Sequence, residues 1–129
     1  MRFMMFIYPN AEAEEGRLPT ADEVSGMMKF NQEMIDAGVM LTADGLQATS
    51  KGARVRFKNG KKQVTDGPFT ETKEIIGGYW MIQVNSREEA IEWAKRVPVE
   101  DESVIIELRQ VFEMEDFPPD VREAATIRS

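Results

Sequence analysis

The chain has 129 residues, the size of one domain that buries about two-thirds of its unfolded surface without disulfides or metals. It contains no cysteine and no histidine, which excludes a thiolate nucleophile, a metal site with Cys or His ligands, and a histidine acid or base. The formal net charge is −7, which argues against nucleic acid and anionic membranes as direct partners.

The N-terminal stretch predicts a strand and then a loop. Residues 2–8 are aromatic and β-favouring and end at Pro9, so we expect a first strand buried on both faces. This apolar run is too short for a membrane span and lacks a signal-peptide cleavage pattern, so we expect a cytoplasmic protein without a membrane partner. Residues 9–19 hold Pro, Gly and several acids and predict a surface loop.

A capping box predicts the first helix. Thr20 and Glu23 have the spacing in which the hydroxyl and the carboxylate satisfy exposed amides, and Gly38 supplies the stop, so the helix should run to about residue 37. A short strand at 39–42 and a turn at 44–47 should follow. The apolar side of the helix is predicted to consist of Val24, Met27, Met28, Asn31, Met34 and Ile35.

The middle of the chain predicts a β-hairpin. Val55 and Phe57 alternate with basic residues, and Asn59-Gly60 is a strong two-residue hairpin turn, so residues 61–65 should return as the second strand. The basic side chains could contact an anion. We expect instead that they keep the edges of the hairpin from pairing with other chains.

The second half predicts strand, helix, strand and tail. Residues 78–84 alternate as a strand, a capping box at Ser86 begins a helix that Pro98 ends, and residues 103–112 give the last strand. Two helices that each precede a strand, with a hairpin between, predict an α+β fold: a ferredoxin-like two-layer sandwich with an inserted β-hairpin. We expect one domain over residues 1–113 and a C-terminal tail over 114–129, with a helical turn or two near 120–126.

The strand patterns predict one sheet face under the helices and one open face. The helix-facing side chains should be Trp80, Ile82, Val84, Val104, Ile106 and Leu108. The open face should hold Tyr79, Met81, Ile105, Glu107, Arg109 and alternate residues of 3–7. This face is too apolar for solvent, yet its two charges are costly to bury unpaired. A homodimer that closes a cleft over this face satisfies both conditions, with Glu107 and Arg109 pairing or contacting a polar ligand.

The stretch from Asp66 to Glu74 is the richest in candidate chemistry. In a structural interpretation the stretch is a turn, in which the Asp66 carboxylate accepts backbone hydrogen bonds and Phe69 anchors the loop. A catalytic reading makes Asp66 the acid or base, with a pKa tuned by Glu71, Lys73 and Glu74. In that reading Tyr8 or Tyr79 donates a hydrogen bond to a substrate oxygen. No acidic run has the spacing of a metal loop, so we expect neither a metal nor a cofactor.

Several separated runs carry a resemblance to a known family. These runs are Gly45-Leu46-Gln47, Lys51–Phe57, Asp66–Glu74, Gly77-Gly78-Tyr79 and Glu88–Ala94. In order and spacing they resemble the YCII-related proteins of the DGPF subgroup over roughly residues 1–112. The resemblance implies a dimeric α+β barrel, in which two ferredoxin-like sheets pack face to face around a cleft. It also implies an association with extracytoplasmic-function sigma factors, whose genes often neighbour those of this subgroup.

The resemblance does not settle whether the protein is an enzyme. Members of the wider family have been proposed to use a His–Asp pair, and a chain without histidine cannot use that mechanism. One hypothesis is acid/base chemistry on a small anionic or carbonyl substrate, with Asp66 as acid or base and Arg109 orienting the anion. The expected cleft is lined by Asp66, Tyr8, Lys73, Tyr79, Glu107 and Arg109. The alternatives are a non-enzymatic binding or regulatory module that contacts a sigma factor, and a purely structural role for the motif.

Overall fold

The computed structural model describes residues 1–70, 74–99 and 101–127. In chain order its elements are β1 (Arg2–Tyr8), α1 (Ala11–Glu14), α2 (Ala21–Asp36), β2 (Met40–Gly45), β3 (Ala53–Lys58), β4 (Lys61–Asp66), β5 (Gly78–Gln83), α3 (Arg87–Lys95), β6 (Ile105–Gln110) and α4 (Pro119–Ile127). Single 3₁₀ turns lie at Thr49–Lys51 and Met114–Asp116.

Four strands form one antiparallel sheet in the order β2-β5-β1-β6. This order, with α2 before β2 and α3 before β6, is compatible with a ferredoxin-like fold and confirms the α+β class. Among the described residues the sheet is open and does not close into a barrel. Among the strands that the structure describes, β3 and β4 pair only with each other, as the predicted inserted hairpin.

Helix α2 begins where its capping box predicts. The backbone N–H of Glu23 donates to the Thr20 hydroxyl at 3.2 Å, and the chain leaves the helix through Gly38, whose φ is +72°. The predicted apolar face is partly wrong, because Phe30 and Met34 are the buried residues of the helix. Three residues assigned to that face lie about 100–140° round the helix from the midpoint of those two and are exposed. These are Val24, Met28 and Ile35.

Two further boundaries differ from the predictions. The segment 9–19 contains α1, because the Asn10 side chain accepts a hydrogen bond from the Ala13 N–H at 2.8 Å and caps a single helical turn. Strand β2 continues to Gly45, past the turn predicted at 44–47, after a bulge between Met40 and Thr42.

The core lies between the sheet and helices α2 and α3. Trp80 and Ile82 are buried on the helix-facing side of β5, as predicted, together with Phe3 and Met5 of β1. The indole N–H of Trp80 donates to the Asn31 side-chain oxygen at 2.8 Å, which satisfies its one polar atom. Ile106 and Leu108 of β6 are partly buried and pack against this core, also as predicted.

The C-terminal segment is tied to the start of the sheet. Glu113 accepts two hydrogen bonds from the Arg2 guanidinium, at 2.7 and 3.1 Å, and Phe112 stacks on Phe117 at 4.9 Å. Helix α4 covers the region where a helical turn or two was expected. None of the helices in the described parts of the chain is long and apolar enough to cross a membrane.

Candidate functional site on the open sheet face

The candidate site is the face of the four-stranded sheet that the helices leave uncovered. Because side chains alternate along a strand, the residues between the buried ones belong to this face. They are Thr42 and Asp44 on β2, Tyr79 and Met81 on β5, Met4, Phe6 and Tyr8 on β1, and Ile105, Glu107 and Arg109 on β6. The open-face set predicted from the sequence is therefore confirmed.

Cross-strand register arranges these side chains in rows. One row crosses all four strands as Asp44, Tyr79, Phe6 and Glu107, and the next holds Met81 and Met4 at its centre. Adjacent strands are about 4.8 Å apart, so a row spans roughly 14 Å. Each row is apolar or aromatic on the two inner strands and carries its charges on the outer strands.

One polar cluster joins β1 and β6. Tyr8 pairs with Ile105 across the ladder, and Glu107 follows on the same face. Burial raises the pKa of the Tyr8 phenol, the neighbouring Glu107 carboxylate raises this pKa further, and Arg109 lowers it. The phenol therefore stays protonated and able to donate a hydrogen bond well above neutral pH.

Arg109 extends this cluster as a largely exposed cation. Its guanidinium Nη1 lies 3.9 Å from the Glu107 carboxylate, too far for a hydrogen bond. The Arg109 side chain is 74% exposed, so most of its donor positions are open to a ligand. The structure thus brings Tyr8 together with the predicted pair Glu107 and Arg109.

A second polar pair lies at the opposite edge of the face. The Tyr79 hydroxyl donates to the Asp44 carboxylate at 3.0 Å, and this bond together with the negative charge raises the pKa of Tyr79. The sequence pattern predicts Tyr79 at the site but not Asp44, because Asp44-Gly45 is typical of a turn. The alternation of Thr42 and Asp44 after the buried Val39 was the available signal.

The centre of the face is apolar and half-buried in the single chain. Met4, Phe6 and Met81 line it, and Ile105 beside Tyr8 is 55% exposed. An apolar strip of this kind is usually covered by a partner or a ligand.

Asp66 lies elsewhere in the described structure. It is the last residue of β4, it is exposed, and it faces Ala53 across the hairpin. No described hydrogen bond or ion pair connects its carboxylate with the open-face cluster. Lys73, the remaining predicted site residue, lies outside the described residues, as does Glu71.

The loop after Asp66 is connected to α1 by a chain of hydrogen bonds. The Thr49 backbone N–H donates to a Glu14 carboxylate oxygen at 2.8 Å, and the Thr49 hydroxyl donates to the other. The Phe69 N–H donates in turn to the Thr49 hydroxyl at 2.9 Å, and the Arg54 guanidinium lies 3.9 Å above the Phe69 ring. These contacts connect Phe69 to α1 and to β3. No sequence signal pointed to Glu14 or Thr49, which lie far from Phe69 along the chain.

Comparison with known proteins assigns the family. The model of the YCII-related domain matches residues 1–115, most of the chain. The chain belongs to the YCII-related family. A protein of Rhizobium meliloti (strain 1021), named only as uncharacterized, is 34% identical over 64 residues, which are 50% of this chain and 52% of that protein. The match thus spans about half the length of this curated relative.

The chemistry available to this YCII-related domain is that of oxygen and guanidinium groups. Within the described residues no three Asp or Glu side chains gather as a metal site. The open face instead offers two phenol groups, two carboxylates and one guanidinium around an apolar strip. Such a set can orient a small polar molecule and can move a proton between a phenol and a carboxylate.

Proposed function

We propose that this YCII-related domain, as a member of the DGPF subgroup, is a homodimer that binds a small anionic or carbonyl compound in a cleft between two facing sheets. The open faces would pack around the apolar strip of Met4, Phe6 and Met81, as in a dimeric α+β barrel. The polar clusters would then line the cleft from both copies.

The observation that carries this proposal is the position of Tyr8, Glu107 and Arg109 beside an uncovered apolar strip. An isolated sheet gains nothing from exposing that strip, whereas a second sheet would bury it. The same burial would exclude water from the three polar side chains and strengthen their interaction with a ligand.

Each member of the cluster has a proposed role. Arg109 would bind a carboxylate or carbonyl oxygen through its open N–H groups. Tyr8, protonated at neutral pH, would donate a hydrogen bond to a second ligand oxygen. Glu107 would accept the hydrogen bond or proton that the ligand supplies, and it is the group we propose for acid/base chemistry if turnover occurs.

The roles predicted for Asp66 and Lys73 stay predictions, as do the cytoplasmic location and the association with a sigma factor. No described hydrogen bond or ion pair connects the Asp66 carboxylate with Tyr8, Glu107 or Arg109. Asp66→Asn therefore separates the two sites: lost ligand binding would support a role for the hairpin end, and unchanged binding would confine the site to the open face.

A panel of small carboxylates and 2-oxo acids tests the proposal. Binding to the wild type is measured by calorimetry and compared with Arg109→Gln and with the matched control Arg87→Gln, which removes an exposed charge at the start of α3. Losing a charged hydrogen bond should weaken binding by about tenfold to a hundredfold in Arg109→Gln and leave the control unchanged. No binding by any panel member, or equal binding by both variants, would contradict the proposal.

A further inference from the structure

The β3–β4 hairpin stands away from the body of the protein. All twelve residues of its two strands are exposed, including the paired Val55 and Val64 and the neighbouring Phe57, which is 73% exposed. Two strands on their own are marginally stable in water. Its apolar stripe of Val55, Phe57 and Val64 therefore needs a surface to cover it.

The hairpin also differs from the rest of the chain in charge. Residues 53–65 hold five of the 16 basic residues and none of the 23 acidic ones. The described ion pairs use other cations, among them Arg2, Arg17 and Arg96. The register places Lys62 opposite Phe57 on the apolar face, and the other four basic residues lie on the opposite face. The surface that covers the apolar face should accordingly be apolar and supply a carboxylate to Lys62, and the other four cations add a positive field around the contact.

The segment Phe112–Glu123 of this chain has that composition. It carries five acidic residues and one basic residue. It also exposes three apolar side chains, with Phe112 71% exposed and Met114 and Val121 exposed beside the acids. Charge and apolar content are thus complementary between the hairpin and this C-terminal segment.

The two segments leave the sheet at diagonally opposite corners. The hairpin is inserted between Gly45 and Gly78, beside the edge strand β2 and the last residues of β1. The C-terminal segment follows Gln110 of the other edge strand β6, which pairs with Phe3 near the start of β1. The length of β1 and the width of the sheet, roughly 20 Å and 14 Å, separate these corners.

We propose that the hairpin of one copy docks on the segment Phe112–Glu123 of a second copy. The inference rests on the homodimer proposed above. Two such sheets can pack face to face with their strands near a right angle, related by a two-fold axis that lies between them. If this axis is perpendicular to the diagonal that joins the hairpin corner to the C-terminal corner, the hairpin corner of each copy lies over the C-terminal corner of the other. The dimer then has two such contacts in addition to the cleft.

Cross-linking between copies tests the contact directly, because the natural chain has no cysteine. Phe57→Cys and Val121→Cys are made as separate chains, mixed, and oxidised. We expect a disulfide-linked heterodimer in high yield. Phe57→Cys mixed with Gln32→Cys, which places the thiol on the exposed side of α2, is the matched control and should give little product.

Charge reversal supplies a second readout that does not touch the core. Lys62→Glu, on the same face of the hairpin as Phe57, should raise the Kd of the dimer about tenfold, as should Glu115→Lys with Asp120→Lys. Mixing the two variants should restore association, because each then meets the opposite charge. Circular dichroism checks that each variant is folded.

The outcomes separate this inference from the proposed function. A wild-type dimer that gives no Phe57–Val121 heterodimer and is indifferent to charge reversal overturns the docking and leaves the cleft standing. A wild-type monomer overturns both. A dimer that shows the cross-link and the charge-swap rescue but binds no member of the ligand panel supports the docking and contradicts the proposal that the cleft binds a small compound.

Discussion

Replacing Gly67 with alanine tests how the loop after the hairpin is held. A Cβ at this position would lie 1.7 Å from the Thr49 carbonyl oxygen and 2.5 Å from the Thr49 carbonyl carbon. Van der Waals contact needs about 3.5 Å, so the loop or Thr49 must move by roughly 1.8 Å. The variant cannot keep both the loop and the 3₁₀ turn at Thr49–Lys51 in place.

The size of the effect follows from what that movement breaks. Thr49 donates its N–H to Glu14 at 2.8 Å and accepts from the Phe69 N–H at 2.9 Å, and Gly67 itself donates to the Gly52 carbonyl at 3.0 Å. Such bonds contribute about 1 kcal/mol each, and more where a carboxylate accepts. With the strain of the displaced backbone, Gly67→Ala should lower the free energy of unfolding by about 2–4 kcal/mol.

Urea unfolding followed by tryptophan fluorescence measures this change, at one protein concentration so that association does not vary. Gly26→Ala is the matched control. Gly26 lies inside α2 with no atom within 4 Å of an added Cβ, so alanine there should raise the free energy of unfolding by about 0.5–1 kcal/mol. A Gly67→Ala protein as stable as the wild type would refute the close contact with Thr49.

Three further predictions concern ionisable and polar groups. The pKa of the Tyr8 phenol is raised by burial and then by the Glu107 carboxylate. Glu107→Gln should therefore move one tyrosine transition to lower pH in an ultraviolet titration, and an unmoved transition would contradict the pairing of Tyr8 with Glu107. Glu113 accepts a hydrogen bond from Arg2 and pairs with its charge, and both hold the pKa of the Glu113 carboxyl below its ordinary range. The pair therefore stabilises the fold at pH values above that range, and this stabilisation is lost as pH falls through the lowered pKa. Melting curves of wild type and Glu113→Gln should therefore differ near neutral pH and converge in acid, and a gap independent of pH would count against the pair. Trp80→Phe removes a hydrogen bond to α2 and part of the core, so chemical unfolding should show a loss of about 1–3 kcal/mol, and a loss under about 0.5 kcal/mol would argue against that bond.

Local signals in the sequence predicted most of the elements. The Thr20 and Ser86 caps begin helices in the structure, and Asn59-Gly60 turns the hairpin with φ values of +51° and +74°. These signals depend on residues within three or four positions of one another, so they can be read without knowing the fold. Strict alternation likewise assigned the faces of β5 and β6.

The sequence could not predict contacts between distant segments. The bonds of Thr49 to Glu14 and of Phe69 to Thr49 depend on where α1 and the loop meet, and no local pattern encodes that meeting. The buried side of α2 was misassigned for a similar reason, because a helix with apolar residues on several sides is oriented by its neighbours. Phe30 contacts Trp80 and Trp93 edge to face, at 6.0 and 6.3 Å, and these contacts fix which side is buried.

The candidate site was predicted in part. Glu107 and Arg109 could be named because they are charges in an apolar strand pattern, and Tyr8 because its phenol can donate a hydrogen bond. The register of β1 and β6 then brings the three together. Asp66 was named because it stands in a stretch rich in chemistry. Its carboxylate has no described hydrogen bond or ion pair with Tyr8, Glu107 or Arg109, because the hairpin end and the open face meet only through tertiary structure that no local pattern encodes.

Sedimentation of the wild type and of Phe6→Glu at micromolar concentration tests the central claim most directly. Phe6 lies at the middle of the open face between Tyr79 and Glu107, so a carboxylate there should prevent a second sheet from packing on it. We predict that the wild type sediments at twice the chain mass of 14.7 kDa and that Phe6→Glu sediments as a folded monomer. A monomeric wild type, or a Phe6→Glu variant that dimerises as well as the wild type, would contradict the account.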